Sequence, residues 1–232
     1  MKNIHKRAGR DIFYSMRIFA LIFAAVAAAA VATVSACTRE TDYSDYISEE
    51  RFAIYMYEDD DMQIKIYCSN KESPFIADGV KGDVSALVEI YATLGESYET
   101  VNVSGESVTG GEMSYMSVKD CWYLSYGGEI SGSEISITLD ADGTAADYTL
   151  VSVAGENVMP AEKALGCVRE HDGKLFESLT QNGIFNGEIF IRLLYDENCY
   201  YYVGVCDTEG DIHAYLVDAV SGRIIAEREY KA

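Results

Sequence analysis

The last third of the chain constrains the fold most tightly. Four strand-like runs occur near residues 188–195 (EIFIRLLY), 199–206 (CYYYVGVC), 211–217 (DIHAYLV) and 223–229 (RIIAERE). The turns between them are short: Asp196-Glu197-Asn198, then residues 207–210, then residues 218–222. Links of this length join antiparallel neighbours, because a parallel pair needs a crossover of about a dozen residues. Upstream, Pro160 occupies a favoured first helical position. Ala161, Ala164, Leu165 and Val168 follow at helical spacing and Gly173 closes the run. One helix covering one face of a meander makes an α+β layer.

The first half reads in the same terms. Residues 52–58 and 62–68 are strand-like runs around Asp59, Asp60 and Asp61, which predicts a hairpin. Asp83 is a candidate N-cap for a helix through Leu94, with Val84, Leu87, Val88, Tyr91 and Leu94 on one face and Gly95 as the stop. Strands are expected near 98–104, 113–118, 121–127, 134–140 and 145–152. The order of aromatic strand, turn, strand, Asp-Ala turn and closing strand occurs at residues 121–152 and again at 199–229. The expected fold class is therefore α+β: antiparallel β-meanders each packed by one helix, as two units in tandem over 51–155 and 158–232.

The N-terminus supplies an address. Lys2, Lys6, Arg7, Arg10 and Arg17 precede the uncharged run 18–36, which ends in Val34-Ser35-Ala36 before Cys37. A basic segment, an apolar segment and small residues at the end are the anatomy of an export signal. The last four residues resemble the lipobox of bacterial lipoproteins, which implies diacylation of the Cys37 thiol and removal of residues 1–36. Residues 37–50 then read as a polar tether. An uncleaved anchor is the alternative, since the apolar run approaches the roughly 20 residues needed to span a bilayer. Either reading places the remainder outside the cytoplasm, on the outer membrane if the source is diderm.

Beyond residue 36 the chain carries 13 basic and 37 acidic residues, a net charge of −24. Phosphate backbones repel such a surface, so no nucleic-acid partner is expected. Cys68, Cys121, Cys167, Cys199 and Cys206 are odd in number, which leaves at least one thiol unpaired. Cys199 and Cys206 bracket one strand and stand roughly 23 Å apart at about 3.3 Å per residue, beyond disulfide reach.

The second unit resembles a PepSY domain. The residues carrying the resemblance are Ala161, Glu162, Ala164 and Leu165, then Tyr202, Val203, Asp218, Ser221, Gly222 and Ile224. The first unit is a more divergent copy, with a shorter Asp140–Gly143 turn and extra strand material. Asp218 is expected to accept turn amides and Gly222 to take positive φ. The resemblance implies a non-enzymatic module that binds, and restrains, an envelope protein such as a peptidase, and it supplies no catalytic residue.

Candidates for chemistry are few. His171 falls in a last helical turn, where the helix dipole favours a cation, and His213 alternates with Ile212 on a strand. No GxSxG, HExxH or catalytic-cysteine pattern occurs. The carboxylates Asp140 and Asp142 invite a calcium reading, but the twelfth position of that loop is Val151 where a glutamate is required. No metal or cofactor is expected. Trp122, Tyr123, Tyr126, Tyr200 and Tyr202 are the candidate partner-binding residues, because outward aromatics on strands anchor partners. The expected function is a lipid-anchored extracytoplasmic binding protein, held to the membrane through its lipid, with an envelope partner. A structural or ligand-sensing surface lipoprotein is the alternative.

Overall fold

The computed structural model describes residues 41–231, so the expected signal segment and the expected lipidation site Cys37 lie outside the described residues. A 3-10 turn at Tyr43–Tyr46 is capped by the Asp42 carboxylate, which accepts the Ser44 amide at 3.1 Å. Nine strands follow: β1 (Ile47–Glu58), β2 (Met62–Glu72), β3 (Val84–Leu94), β4 (Val101–Gly105), β5 (Val108–Glu112), β6 (Ser114–Met116), β7 (Cys121–Gly127), β8 (Glu134–Ala141) and β9 (Thr144–Ser152). Then come α1 (Ala161–His171) and α2 (Gly173–Leu179). The short pair β10 (Thr180–Gln181) and β11 (Ile184–Phe185) leads into β12 (Gly187–Asp196), β13 (Asn198–Asp207), β14 (Ile212–Asp218) and β15 (Ile224–Tyr230).

The α+β expectation of a helix on each meander is overturned: the described residues are mostly strand, and the first half carries no α-helix at all. Residues 84–94 form β3, not a helix. Val88, Ile90 and Ala92 alternate inward with no exposure, and β-branched and aromatic side chains favour that extended backbone. The tandem repeat is also absent. β7 pairs with β3 and β6, whereas β8 pairs with β4 and β9, so residues 121–127 and 134–141 are not hairpin partners. The tether was drawn too long, since β1 starts at Ile47 and both Ser48 and Glu49 are buried.

One path of nine strands runs β15-β14-β13-β12-β1-β2-β3-β7-β6, and β4, β8 and β9 return to β1 through the Tyr55↔Ser152 and Met56↔Val151 pairs. The first half is thereby rolled into a nearly closed barrel. Its interior collects Ile64 and Ile66 of β2, Val88 and Ile90 of β3, Ile135 and Ile137 of β8 and Leu150 of β9. The second half keeps its meander open and covers one face with α1, α2 and the Tyr43 turn. Val168, Phe176, Ile189, Ile191, Val203 and Val217 form that core, where Tyr43 meets the Phe176 and Phe185 rings edge-on at 5.0 and 5.3 Å. Each such buried side chain contributes about 1.5–3 kcal/mol of transfer free energy. Asp218 accepts the Val220 and Ser221 amides at 3.1 and 2.7 Å, and Gly222 closes the turn at φ +74°.

β12 joins the halves by pairing parallel to β1, with Glu50 beside Ile191 and Arg51 beside Arg192. A bulge between Arg51 and Ala53 then twists β1, and Ile54 beyond it joins the helix-side core. No described helix is long and apolar enough to cross a membrane.

Candidate functional site

By register most of both cores lies on one side of the nine-strand path. On the opposite face Glu49, Ser69 and Phe190 are buried, while Arg51, Tyr67, Tyr91, Tyr123, Arg192 and Tyr202 stay partly exposed. Register fixes what that face carries. Arg192 pairs with Tyr202 and Phe190 with Gly204 across β12 and β13. On the barrel side, Arg51 pairs with Ser69, Glu49 with Lys71 and Tyr67 with Glu89. Tyr91 pairs with Tyr123 across β3 and β7.

These side chains form a continuous ribbon. Tyr123 and Tyr91 stand 4.9 Å apart, Tyr91 and Tyr67 5.5 Å, and the Arg51 guanidinium lies 4.4 Å from the Tyr67 ring centre. Beyond the junction, Arg192 sits 4.9 Å from Phe190 and 5.1 Å from Phe75, and Phe190 stacks on Tyr202 at 5.9 Å. Gly204 supplies the floor beneath Phe190, because a Cβ there would run into the ring. Crossing from β7 to β13 takes five strand steps, about 24 Å at 4.8 Å each.

Charge on this face is unlike that of the rest of the chain. Arg51, Lys65, Lys71, Lys119, Arg192 and Arg228 lie on it by register or ring contact, six of the 13 basic residues beyond residue 36. The acids along its middle are buried and engaged differently. Glu49, 1 % exposed, accepts Arg192 through Nε at 2.9 Å and Nη2 at 2.6 Å, with Lys71 at 3.8 Å. Glu89 accepts both the Tyr91 and Tyr123 hydroxyls at 3.2 Å. Burial, with Glu89 nearby, pushes the Tyr91 and Tyr123 phenols up, so both remain donors at neutral pH.

Glu188 is the exception. It is fully buried, neither carboxylate oxygen has a well-formed hydrogen bond, and only the Val80 amide points its way. Burial first, then Glu72 and Asp78, push it up to about 7. It lies beneath the β2–β3 connection, residues 73–83, which straps across this face. Phe75 packs edge-on to Phe190 at 5.7 Å, Gly79 abuts the Asp207 carbonyl, and Lys81 donates to the Asp45 carbonyl at 2.8 Å.

The five aromatic candidates separate. Tyr123 and Tyr202 lie in the ribbon, and Tyr200 sits half-buried at its far end, paired with Asp218 and Leu194. Trp122 and Tyr126 point into the barrel core instead. The ribbon residues that sequence reasoning missed are Glu49, Arg51, Tyr67, Phe75, Tyr91, Phe190 and Arg192. Alternation on β2 and β12 placed Tyr67 and Arg192 on one face, but nothing local joined those faces. His171 meets Glu227 at 3.1 Å in an exposed pair, and Asp142 accepts the Glu99 and Thr100 amides as a turn anchor. All five described cysteines are free thiols, and no group of three metal-ligating side chains is gathered among the described residues.

No family model, curated protein or solved structure matches this chain. What the site can do therefore rests on its own chemistry. The partly exposed tyrosine rings interleaved with guanidinium and ammonium groups provide stacking area and charge to a docked surface.

Proposed function

We propose that this protein is a lipid-anchored, extracytoplasmic binding protein that captures an envelope protein on the open face of its sheet. One observation carries the reading. The ribbon keeps Arg51, Tyr91, Tyr123, Arg192 and Tyr202 partly exposed on one sheet face, in a chain whose charge beyond residue 36 is −24. An acidic partner surface complements it, and electrostatic complementarity sets register and on-rate. Cys37, at the end of an export-type apolar run, supports the lipid anchor. Capture by strand addition at β15 is disfavoured, because Glu227, Arg228 and Glu229 guard that edge with charge.

The test places a photo-crosslinking side chain at Tyr123 or Tyr202 and irradiates intact cells. Both positions should trap the same envelope protein, and a control at the exposed Thr149 should not. Equal capture at Thr149, or none at either ribbon position, removes the binding reading and leaves a structural surface lipoprotein. If the trapped protein is a peptidase, its turnover with and without this chain decides between restraint and simple docking. Cys37→Ala should abolish metabolic lipid labelling; unchanged labelling removes the anchor.

A further inference from the structure

A pocket lies at the end of the barrel, on the core side of β7 and away from the ribbon. Glu96, Glu99, Tyr115, Asp120 and Trp122 line an open pocket of about 450 Å³, within the roughly 300–1,000 Å³ of small-ligand sites. We propose that this pocket binds a small organic cation, an alkylammonium group, between the Tyr115–Trp122 aromatic pair and a rim of three carboxylates.

The composition of the walls carries the proposal. Trp122 is 8 % exposed and forms an aromatic floor, while Tyr115 is 53 % exposed and stands over it at 5.5 Å with the planes tilted by 58°. An exposed tyrosine ring held against the indole leaves π-surface open to a ligand, and the faces of such rings attract cations. Glu96, Glu99 and Asp120 bring three negative charges to the rim, and no lysine or arginine lines the pocket. Lys119, adjacent in sequence, instead places its ammonium 4.8 Å from the Tyr91 ring on the opposite side of β7.

The geometry is also held in place. The Tyr115 hydroxyl donates to Asp120, which fixes the ring relative to the rim. The Asp142 carboxylate accepts the Glu99 amide at 3.1 Å and the Thr100 amide at 2.8 Å, pinning the 95–100 loop from the far hairpin. A site ordered before its ligand arrives loses less entropy on binding. Anions are repelled by the rim, and a neutral ligand gains nothing from it. A methylated or primary ammonium on an apolar stem gains from both walls and rim.

Trp122 is the sole tryptophan of the chain, so its emission reports occupancy directly. The full chain in neutral detergent is titrated with choline, with Nα-acetyl-lysine methylamide and with 3,3-dimethylbutanol, the uncharged isostere of choline. N-acetylglucosamine serves as a neutral stacking control. At least one cation should shift Trp122 emission saturably, and the tighter of the two identifies a quaternary headgroup or a lysine side chain as the source. Tyr115→Ala, and Glu96→Gln with Glu99→Gln, should each weaken that binding about tenfold or more while leaving near-ultraviolet circular dichroism intact. No saturable shift with either cation overturns the proposal. So does an equal response to 3,3-dimethylbutanol or N-acetylglucosamine, or unchanged affinity in the Glu96/Glu99 variant. The ribbon plays no part in this readout, so it stands or falls separately from partner capture.

Discussion

The two halves of the sheet solve one problem in different ways. Each has an apolar face that must leave water. The first half rolls its strands until β9 returns to β1, whereas the second stays open and lays α1 and α2 on its face. Rolling leaves no room inside for a helix, and covering leaves no need to roll. The consequence is shared: apart from Ile54, both devices bury the same side of the nine-strand path by register, so the other side keeps partly exposed side chains across the junction. The aromatic–cationic ribbon exists because the halves agree on which face to hide.

That agreement is strongest at the junction, where the largest effect is expected. Arg192 lies on the helical half and Glu49 on the strand it shares with the barrel, with Glu49 only 1 % exposed. Arg192→Ala leaves buried Glu49 with the Lys71 ammonium at 3.8 Å as its one remaining cationic contact, and losing one partner of a buried pair costs up to about 3–5 kcal/mol. Urea unfolding followed by Trp122 emission for the barrel, and by far-ultraviolet circular dichroism for the helices, should give one coincident transition that moves to lower urea. Glu49→Gln added to Arg192→Ala should recover part of the loss. Two separated transitions in the unaltered protein would show that the halves are not one cooperative unit.

Next in size is Glu188, buried on the helical half beneath a strap that comes from the barrel half. Glu72 and Asp78 face it from β2 and the strap, and Cys206 from β13. Its carboxyl is raised from 4.5 to about 7. The folded state therefore holds the proton more tightly than the unfolded chain. Its contribution to stability is fully present below about pH 4.5 and is lost as pH rises through about 7. The shift corresponds to about 3 kcal/mol at most, using about 1.4 kcal/mol per unit. Glu188→Gln keeps the volume and removes the charge. It should match the parent near pH 4.5 and exceed it at pH 8, with hydrogen exchange of residues 75–82 slowed at the higher pH. A stability difference that does not change with pH would remove this account of the strap.

How legible these halves were from sequence differs for a physical reason. α1 and β12–β15 fall within a residue or two of the expected spans, because the helical spacing and the short turns are local signals. Pro160, however, is the N-cap rather than the first helical residue, and Gly173 opens α2 rather than closing the helical run. β3 was misread because of the ribbon itself. Its inward residues Val88, Ile90 and Ala92 alternate properly, but Leu87 and Tyr91 on the open face are also large and apolar. Together with Val84 and Leu94 they imitate a helical stripe. A strand with both faces apolar loses the period that distinguishes it. Tyr123 and Tyr202, named from sequence, share the ribbon face with Tyr67, Tyr91 and Arg192, whose placement depends on strand pairings that no local pattern encodes. The strap, Glu188 and the return of β9 to β1 are equally non-local.

Gly204 tests how much the ribbon needs its floor on the helical half. A methyl group there would meet the Phe190 ring, which stacks at 25° on Tyr202. Gly204→Ala should destabilise the fold by about 1–3 kcal/mol through overpacking. It should also reduce crosslinking at Tyr202 more than at Tyr123, since only the former stacks on the displaced ring. Equal reduction at both positions would mean that the ribbon responds as one body across the junction.

The smallest effect separates the halves by how far an aspartate reaches. Asp218 in the meander accepts only from its own turn, the Val220 and Ser221 amides and the Ser221 hydroxyl. Asp142 on the barrel, at φ +49°, reaches across to the Glu99 and Thr100 amides. Backbone donors hold both carboxyls below the usual range, Asp218 chiefly through Ser221 and Asp142 chiefly through Thr100. Each therefore stabilises the fold above the ordinary carboxylate value of 3.8, and that contribution is lost as pH falls through the lowered one. Asp142→Ala should speed amide exchange at Glu99 and Thr100 roughly tenfold, the scale of one lost charge-assisted hydrogen bond. It should also weaken any ligand of the Trp122 pocket, whose loop it releases. Asp218→Ala should speed exchange only at Val220 and Ser221. If its effect spread to the pocket loop, the turn in the meander would be coupled to the barrel through the shared sheet rather than being a local closure.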